Sequence, residues 1–399
     1  MLTLLFRKKR TQANSFEQVF EPIIPLINKL LAKGEQGPQH AQVKKVEVPF
    51  EGGTPLTIIR NLRFLRKYLR SHTSNITSPK LSLSGAEVLH ITGEIHYCAI
   101  FSPFKKTILT IHDCKSSFNG NPLRDLYMKI FWYWLPALFI HKITTISKQS
   151  AEEIKKLIPF AKKKIVVIPN PYNPDIIMGM DKEVTELFPD PFPERSRRGI
   201  QSASTDGRNN KSKIKNQKSK VLFIGTKPNK NLERTIEALS HLENIHLTIL
   251  GKLTDLQKVL LDRYGFIEIK NEKLKIVNNK SYFNLFNLPF SEVINLYYSH
   301  SLLLFPSTYE GFGMPIIEAQ AARLPVITSD LSSMSEVAGG AAHLVDPYSV
   351  DSIFKGIEKI FNDDGYRYAL VQKGRENIKR FEPEYIAKQY LNLYNDSIA

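Results

Sequence analysis

Short apolar runs recur along the chain, and helix-like stretches separate them. The runs Leu2–Phe6 and Leu302–Phe305 have the length and composition of buried strands. The stretch Lys148–Leu157, which follows the capping residue Ser147, is typical of a helix. Strands that alternate with helices indicate an α/β fold. The other predicted strands are residues 46–48, 88–91, 107–111, 142–146, 165–168, 221–226, 245–250, 274–277, 325–328 and 342–345.

Two predicted helices of the first half have an unusual composition. Residues 126–139 are apolar and aromatic, which predicts a buried helix that is broken near Pro136. Residues 58–70 place isoleucine and leucine on one stripe, and a basic side either faces water or rests on anionic lipid headgroups. The residues of this basic side are Arg60, Arg63, Arg66, Lys67 and Arg70.

The alternation of strands and helices stops between residues 185 and 219. Three prolines are followed by a run that is rich in Ser, Arg, Asn and Lys and poor in large apolar residues. Such a segment cannot bury enough surface to offset its chain entropy, so we predict disorder over residues 194–219. The predicted organisation is therefore an N-terminal domain (1–184), a basic linker (185–219), a C-terminal domain (220–375) and a final helical segment (376–399).

The stretch from residue 302 to residue 319 predicts an anion-binding site. A buried strand ends at Pro306, a loop follows, and Pro315 suits the first turn of a helix that runs to about Arg323. The first amides of a helix are unpaired and its dipole is positive there, so this end attracts anions. Gly311 and Gly313 lack side chains where a backbone would approach a bulky ligand.

Two carboxylates accompany this predicted anion site. Glu310 lies in the loop, and Glu318 lies about 6 Å further along the helix axis. Carboxylates accept hydrogen bonds from sugar hydroxyls, and an acidic residue holds the ribose in this way in dinucleotide folds. The pattern therefore favours a ligand that has a diphosphate in its centre and hydroxylated rings at both ends, as a nucleotide-sugar has.

The pattern Pro-Ser-x-Tyr-Glu-Gly-Phe-Gly-x-Pro-x-x-Glu-Ala in this stretch resembles the E-x7-E signature of the retaining glycosyltransferases of family four. The resemblance implies the GT-B fold, in which two Rossmann-like, doubly wound domains face each other across a cleft. It also implies that Glu310 holds hydroxyls of the transferred sugar, that Glu318 holds the ribose, and that the last helix crosses back onto the N-domain. Family members often have a glycine-rich turn after the first strand, whereas residues 10–14 contain no glycine and precede a capping box at residues 15–18.

A second element of the C-terminal half resembles the donor site of this family. Gly225 and Thr226 end a predicted strand, and Lys227 and Lys230 follow. The resemblance implies that the lysines clamp the donor diphosphate, together with the backbone of Gly311, Phe312 and Gly313. No Asp-x-Asp motif lies where a nucleotide would bind, so we expect no metal and no other cofactor.

Histidines mark the corresponding end of the N-terminal half. His112 and Asp113 follow a predicted strand, and the resemblance implies that this histidine faces the donor sugar and the acceptor. His96 lies in the loop after residues 88–91 and resembles a residue of the same bacterial subgroup. We therefore predict His96 and Asp113 on the acceptor side, and a catalytic role for His112, Lys230 and Glu310.

Composition and charge test other function classes. The formal net charge is +16, but nine Lys or Arg and one Asp between residues 195 and 220 account for about half of the excess, so we expect no nucleic-acid partner. Cys98 and Cys114 give no disulfide framework, which favours a reducing compartment. The longest apolar run, residues 130–140, is too short to span a bilayer. We expect a cytoplasmic protein. In the alternative in which the basic side rests on lipid, Arg60, Arg63, Lys67 and Arg70 contact the inner face of the membrane.

The sequence thus predicts a retaining, metal-independent glycosyltransferase. It would move a sugar from a nucleotide-diphosphate sugar to a glycan or lipid-linked acceptor in the synthesis of a cell-surface polysaccharide. Two alternatives stay open at this point: a catalytically silent GT-B protein that binds a nucleotide or a glycan, and a nucleic-acid-binding protein that uses the basic excess.

Overall fold

The computed structural model describes residues 2–8, 19–32, 43–73, 88–101, 106–114, 118, 120–178, 219–269 and 280–398. The chain divides into two compact units, one formed by Met1–Asn173 with Phe381–Ala399 and the other by Pro174–Arg380. Several predictions lie outside the described residues: the turn at 10–14, the capping box at 15–18, the strand at 274–277, and disorder over 194–219 except for Ser219, which is in a strand.

The first unit is built on a parallel six-stranded sheet in the order β2-β1-β3-β4-β5-β6. Neighbouring side chains of a strand point to opposite faces, and Leu4 and Leu5 accordingly belong to separate core clusters on the two sides of the sheet. The sheet is therefore covered on both faces, as parallel sheets are. Its strands are β1 (Leu2–Phe6), β2 (Val43–Glu47), β3 (Val88–Ile91), β4 (Lys106–Ile111), β5 (Lys142–Thr145) and β6 (Ile165–Val167).

The helices of the first unit follow the predicted alternation. Ser147 caps the helix Lys148–Leu157, because its hydroxyl accepts a hydrogen bond from the amide of Ser150 at 3.0 Å, which confirms that prediction. The α-helices are Ile23–Ala32, Pro55–Thr73, Pro122–Tyr127, Leu135–Phe139, Lys148–Leu157 and Pro383–Ile398. Two 3₁₀ segments, His96–Phe101 and Pro159–Lys164, and a π-helical segment, Met128–Trp134, complete this set.

The C-terminal helix Pro383–Ile398 completes the core of the first unit. Its Tyr390 packs with Phe20 and with His90 of β3. His90 also bonds to the Tyr394 hydroxyl through Nδ1 at 2.8 Å and to Thr110 through Nε2 at 2.7 Å. These buried bonds fix the last helix on the sheet.

One helix prediction is wrong. Residues 126–139 do not form a buried helix, because Leu126, Phe131 and Leu138 among others are exposed. The segment is helical and Pro136 lies near the start of Leu135–Phe139, but only one side of it reaches the core. The local pattern failed here because both sides of the helix are apolar.

The second unit is built on a parallel seven-stranded sheet in the order β13-β12-β11-β7-β8-β10-β9. The strand order reverses between β7 and β11, and the loops at the carboxyl ends of two such strands border the crevice in which open α/β sheets bind ligands. The strands are β7 (Ser219–Ile224), β8 (Ile245–Leu250), β9 (Ile267–Glu268), β10 (Lys280–Leu285), β11 (Leu302–Phe305), β12 (Val326–Ser329) and β13 (His343–Val345).

Helices connect the strands of this second sheet, and the longer ones bury one face against it. They are Asp175–Met178, Leu232–Ser240, Asp255–Arg263, Phe290–Ser299, Met314–Ala321, Met334–Ala338, Val350–Asn362 and Asp364–Asn377, with 3₁₀ turns at Pro228–Lys230 and Ile378–Phe381. No helix within the described residues is long and apolar enough to cross a membrane.

Candidate functional site

The predicted strand, loop and helix are present at the carboxyl end of β11. All four residues of β11 are buried, and the helix Met314–Ala321 begins after Gly313, which has a φ of +105°. Pro315 lies in the first turn, as predicted, and Arg323 with a φ of +59° follows the helix end. Within the described part of the chain no side chain caps this helix, so its first amides and its positive dipole end can serve an anion.

A second loop, at the carboxyl end of β7, meets the first. Gly225 has a φ of +95°, a conformation that favours glycine. A Cβ atom at Gly225 would lie 2.8 Å from carbons of the Lys230 side chain. The glycine therefore gives Lys230 room to turn back across the end of the sheet.

Lys230 and Glu310, which the sequence placed in one donor site, are in direct contact. Lys230 Nζ lies 2.6 Å from Glu310 Oε1, and the two side chains are only 19% and 15% exposed. The same ammonium group lies 4.7 Å from the centre of the Phe305 ring. A largely desolvated ion pair over an aromatic ring holds both charges in place at the reversal point of the second sheet.

The other predicted residues of this loop differ in exposure and contacts. Lys227 is exposed, whereas Phe312 and Gly313 are buried and Gly311 is partly buried. The Thr226 hydroxyl donates to the carbonyl of Lys252 at 2.8 Å, so this side chain fixes the loop.

Sequence reasoning missed the polar side chains that join the two loops. Asn229 Nδ2 donates to the carbonyl of Tyr309 at 3.0 Å. Asn231 is 2% exposed, has a φ of +66°, and donates through Nδ2 to the carbonyls of Pro306 and Pro347 at 3.1 and 2.7 Å. Both asparagines flank Lys230 in the sequence. This position could have indicated their role, because a loop that carries a functional lysine needs anchoring.

Two serines after β12 hold the backbone of Glu310. Ser332 Oγ and Ser333 Oγ donate to the Glu310 carbonyl at 2.7 and 2.8 Å, and Ser333 Oγ also lies 2.9 Å from the carbonyl of Phe312. Strand β12 neighbours β11 in the sheet, so the loops at the carboxyl ends of both strands lie side by side. The sequence alone does not give this strand order, and these serines were therefore not predicted.

Glu318 lies in the helix Met314–Ala321 and is anchored by a tyrosine. The hydroxyl of Tyr297, which is 1% exposed, donates to Glu318 Oε2 at 2.6 Å. Burial raises the pKa of Glu318, and the bond from Tyr297 acts in the opposite direction. The sequence did not indicate Tyr297, because it lies 21 positions before its partner.

The two histidines that the sequence predicts for the site, His96 and His112, are buried. His112 follows β4, is 8% exposed and donates through Nε2 to the Thr92 carbonyl at 3.1 Å. Burial lowers the pKa of His112 to about 4. Asp113, which was predicted beside it, is partly buried and acts to raise that pKa.

His96 lies in the aromatic core of the first unit. Its Nδ1 donates to the carbonyl of Trp132 at 3.0 Å, and its ring packs against Trp132 and Tyr133. Burial lowers the pKa of His96 to about 4. These contacts are those of a residue that supports the fold.

An ion pair near His112 was also missed. Arg7, directly after β1, lies 2.7 Å from Glu94, which follows β3, and the Arg7 side chain is 8% exposed. Because β1 and β3 are neighbours, their carboxyl ends lie at the same edge of the sheet. The charge of Arg7 contributes to the lowered pKa of His112, after the larger effect of burial.

Comparisons with known proteins identify the family and the fold. The model of the family "Glycosyl transferases group 1" matches residues 205–377, and that of "Glycosyltransferase Family 4" matches residues 29–176. The O-antigen chain mannosyltransferase B of Escherichia coli is 36% identical over 107 residues, which are 27% of this chain and 28% of that protein. An uncharacterized glycosyltransferase of Methanocaldococcus jannaschii is 24% identical over 265 residues, 63% of this chain and 59% of that protein.

Solved structures share the whole fold at low identity. The structure of Anabaena HepE in complex with UDP and glucose superposes with a TM-score of 0.67, at 14% identity, over 99% of this chain and 100% of that chain. The matches to the two curated relatives span less than two thirds of their lengths.

Proposed function

The chain belongs to the family-four glycosyltransferases of the GT-B fold, and from this we propose that it transfers a sugar from a nucleotide-diphosphate sugar to a glycan or lipid-linked acceptor, with retention of anomeric configuration. The observation that carries the proposal is the partly buried Lys230–Glu310 pair between the loops that follow β7 and β11. The name of the Escherichia coli relative, which acts on an O-antigen chain, supports a role in the synthesis of a cell-surface polysaccharide.

In the proposed complex the donor diphosphate lies at the start of the helix Met314–Ala321. The amides of this helix end and the ammonium group of Lys230 face the phosphates, and exposed Lys227 adds charge at the entrance. Glu310 accepts hydrogen bonds from hydroxyls of the transferred sugar. Tyr297 occupies Oε2 of Glu318, so Oε1 accepts from the ribose.

The proposed reaction needs little from the protein besides charge and position. The bond between the anomeric carbon and the phosphate oxygen breaks, and the acceptor oxygen bonds to that carbon on the same face. The leaving phosphate takes the proton of the acceptor hydroxyl, so no protein nucleophile is required. Preorganised donors lower the barrier by stabilising the charge that develops on the phosphate. Neutral His112 would orient the sugar or the acceptor, and we propose no role for a metal.

A thermal-shift screen followed by a transfer assay tests this function. Ligands that bind the folded state raise its stability by mass action. We expect one nucleoside diphosphate and its sugar conjugate to raise the melting temperature, and transfer from that conjugate to proceed in EDTA. Stabilisation by single-stranded nucleic acid but by no nucleotide-sugar would contradict the proposal.

The substitution Gly225→Ala tests whether the Lys230 side chain needs the space that the glycine leaves. The new Cβ atom would lie 2.8 Å from Lys230 carbons and must displace that side chain from Glu310. The positive φ adds strain of about 1–2 kcal/mol. We expect the affinity for the nucleoside diphosphate to fall about tenfold, as measured by calorimetry. The matched control is Gly265→Ala, at a φ of +77° with open space around the new atom, which should cost stability but leave nucleotide affinity unchanged.

The substitution Tyr297→Phe tests how Glu318 is held. It removes one hydroxyl from a buried site and leaves the Glu318 carboxylate without its donor. The pKa of Glu318, already raised by burial, should rise further because the opposing hydrogen bond is gone. We expect KM for the donor to increase about fivefold with little change in kcat, and the loss to be larger at pH 6 than at pH 8. A loss that is the same at both pH values would show that Tyr297 acts only in packing.

A further inference from the structure

A large apolar surface of the first unit faces outward. Ten residues between 122 and 139 are exposed, and nine of them are apolar or aromatic; the tenth is Arg124. Leu123 and Leu138 are 82% and 62% exposed. We call this surface the apolar face; it comprises Leu123, Leu126, Tyr127, Ile130, Phe131, Trp134, Leu138 and Phe139.

The opposite side of the same segment is already used by the core. Tyr133 and Ala137 are buried in a core cluster of the first unit, which fixes the orientation of the segment. An amphipathic surface helix normally presents polar residues to water. Here the outward side is apolar along its whole length, and contiguous exposed apolar patches of this kind mark interaction sites.

Trp134, at one edge of the apolar face, has aromatic and basic neighbours. Trp134 donates through Nε1 to the carbonyl of Leu157 at 2.7 Å, and its ring lies 6.1 Å from that of exposed Phe160. Lys129 Nζ lies 5.0 Å from the Trp134 ring centre. Exposed lysines flank Phe160 in the sequence: Lys156, Lys162 and Lys163.

The stretch of chain that carries and follows the apolar face is strongly positive. Residues 120–164, all described, contain nine Lys or Arg and three Asp or Glu, a difference of +6. Two of the three acids are held by neighbouring cations: Asp125 lies 3.9 Å from Arg124 and Glu152 lies 2.7 Å from Lys155. An apolar surface with a basic border and amphipathic aromatic residues at its edge has the composition of a membrane-interface element.

We propose that the apolar face binds the surface of an anionic lipid membrane, with its apolar side chains among the acyl-chain ends and the basic border against lipid phosphates. A second copy of the chain is a poorer occupant, because it would bring two positive borders together. The segment 195–218, with eight Lys or Arg and one Asp, is also basic and would be repelled in the same way. The proposal deepens the proposed function, since it places the enzyme where a lipid-linked acceptor lies, but its test needs no sugar transfer.

The basic helix Pro55–Thr73 lies near this surface. A Cβ atom on Gly53, two residues before that helix, would lie 3.3 Å from the ring of Trp132, which is part of the apolar-face segment. Arg60, Arg63 and Lys67 of the helix are exposed, as is Leu56 at 57%. In this proposal the exposed basic residues of that helix add positive charge to the unit that carries the apolar face.

Vesicle sedimentation with the full-length protein tests this proposal. Vesicles of phosphatidylcholine alone and of phosphatidylcholine with 30% phosphatidylglycerol are compared at about 0.1 M salt. We expect the protein to bind the anionic vesicles at least tenfold more tightly than the neutral ones. Binding to the anionic vesicles should weaken when the salt is raised to about 0.5 M. The double variant Leu123→Gln/Leu138→Gln should bind anionic vesicles at least tenfold more weakly than the unmodified protein.

The second unit supplies a matched control. Leu256 and Val259 are 83% and 64% exposed on the helix Asp255–Arg263, close to the values of the test pair. Leu256→Gln/Val259→Gln should leave vesicle binding unchanged. Equal binding of the two double variants would overturn the proposal, as would absence of binding to either vesicle. A self-association in sedimentation velocity that only Leu123→Gln/Leu138→Gln abolishes would assign the apolar face to a second copy instead.

Discussion

Replacing Glu310 by glutamine is expected to lower the rate of sugar transfer by a factor of about 10²–10³ while leaving the affinity for the nucleoside diphosphate intact or slightly higher. The first effect follows from the loss of a charged acceptor that orients the sugar as its bond breaks. The second follows from the ion pair, since Lys230 is 2.6 Å from Glu310 and loses its partner in the variant. A partly buried ammonium group without a carboxylate binds a phosphate more strongly.

The complementary variant Lys230→Met should lose nucleotide affinity, which Glu310→Gln retains. Without the ammonium group, the diphosphate loses a cation, and the Glu310 carboxylate, only 15% exposed, is left unpaired. We expect nucleotide affinity to fall at least tenfold, as measured by calorimetry, and transfer to fall with it. The different responses of binding and transfer distinguish a catalytic pair from an ion pair that only supports the fold.

An exposed ion pair of the same unit serves as the control for this experiment. Lys355 lies 2.7 Å from Asp351, and both side chains are more than half exposed. Surface pairs of this kind contribute little to stability, so Asp351→Asn should change neither nucleotide affinity nor transfer. Transfer by Glu310→Gln within threefold of the unmodified protein would remove Glu310 from the proposed role.

The sequence predicted the part of the site that is contiguous. Glu310, Gly313 and Pro315 lie in one strand–loop–helix stretch, and its local chemistry decides its geometry. Asn229, Ser333 and Tyr297 were missed because their roles depend on which strands are neighbours and on contacts between distant positions. Lys230 was found only through a resemblance; nothing in the local sequence shows that it reaches Glu310, 80 positions later.

The apolar segment 126–139 shows a different limit. Its composition predicts burial, but hydrophobicity does not say what covers a surface. The core of the first unit covers one side, at Tyr133 and Ala137, and leaves the other exposed. The same argument applies to His96 and His112. The sequence indicates both as site candidates, and only the structure separates His96 in the aromatic core from His112 at the strand end.

Lowering the pH from 7 to 5 is expected to destabilise the protein strongly, and the first unit more than the second. Burial lowers the pKa of four histidines from the ordinary 6.5, to about 3 for His90 and to about 4 for His96, His112 and His300. The folded state keeps these rings neutral, whereas the unfolded chain takes up protons below pH 6.5. Their contribution to stability is therefore complete above pH 6.5 and is lost as the pH falls from 6.5 towards 4.

The size of this effect follows from linkage. Each histidine that is protonated only in the unfolded chain lowers the free energy of unfolding by up to about 1.4 kcal/mol per pH unit. Three of the four rings lie in the first unit and one, His300, lies in the second. Calorimetric melting between pH 7.5 and 5 should therefore show the first unit losing stability more steeply than the second. His90→Gln should lower the stability at pH 7.5, because two buried hydrogen bonds change, yet reduce the proton uptake on unfolding near pH 5.5 by about one. An unchanged proton uptake in this variant would mean that His90 is already protonated in the folded state. Burial of His90 in a closed core, between the Tyr394 and Thr110 hydroxyls, disfavours that charged form.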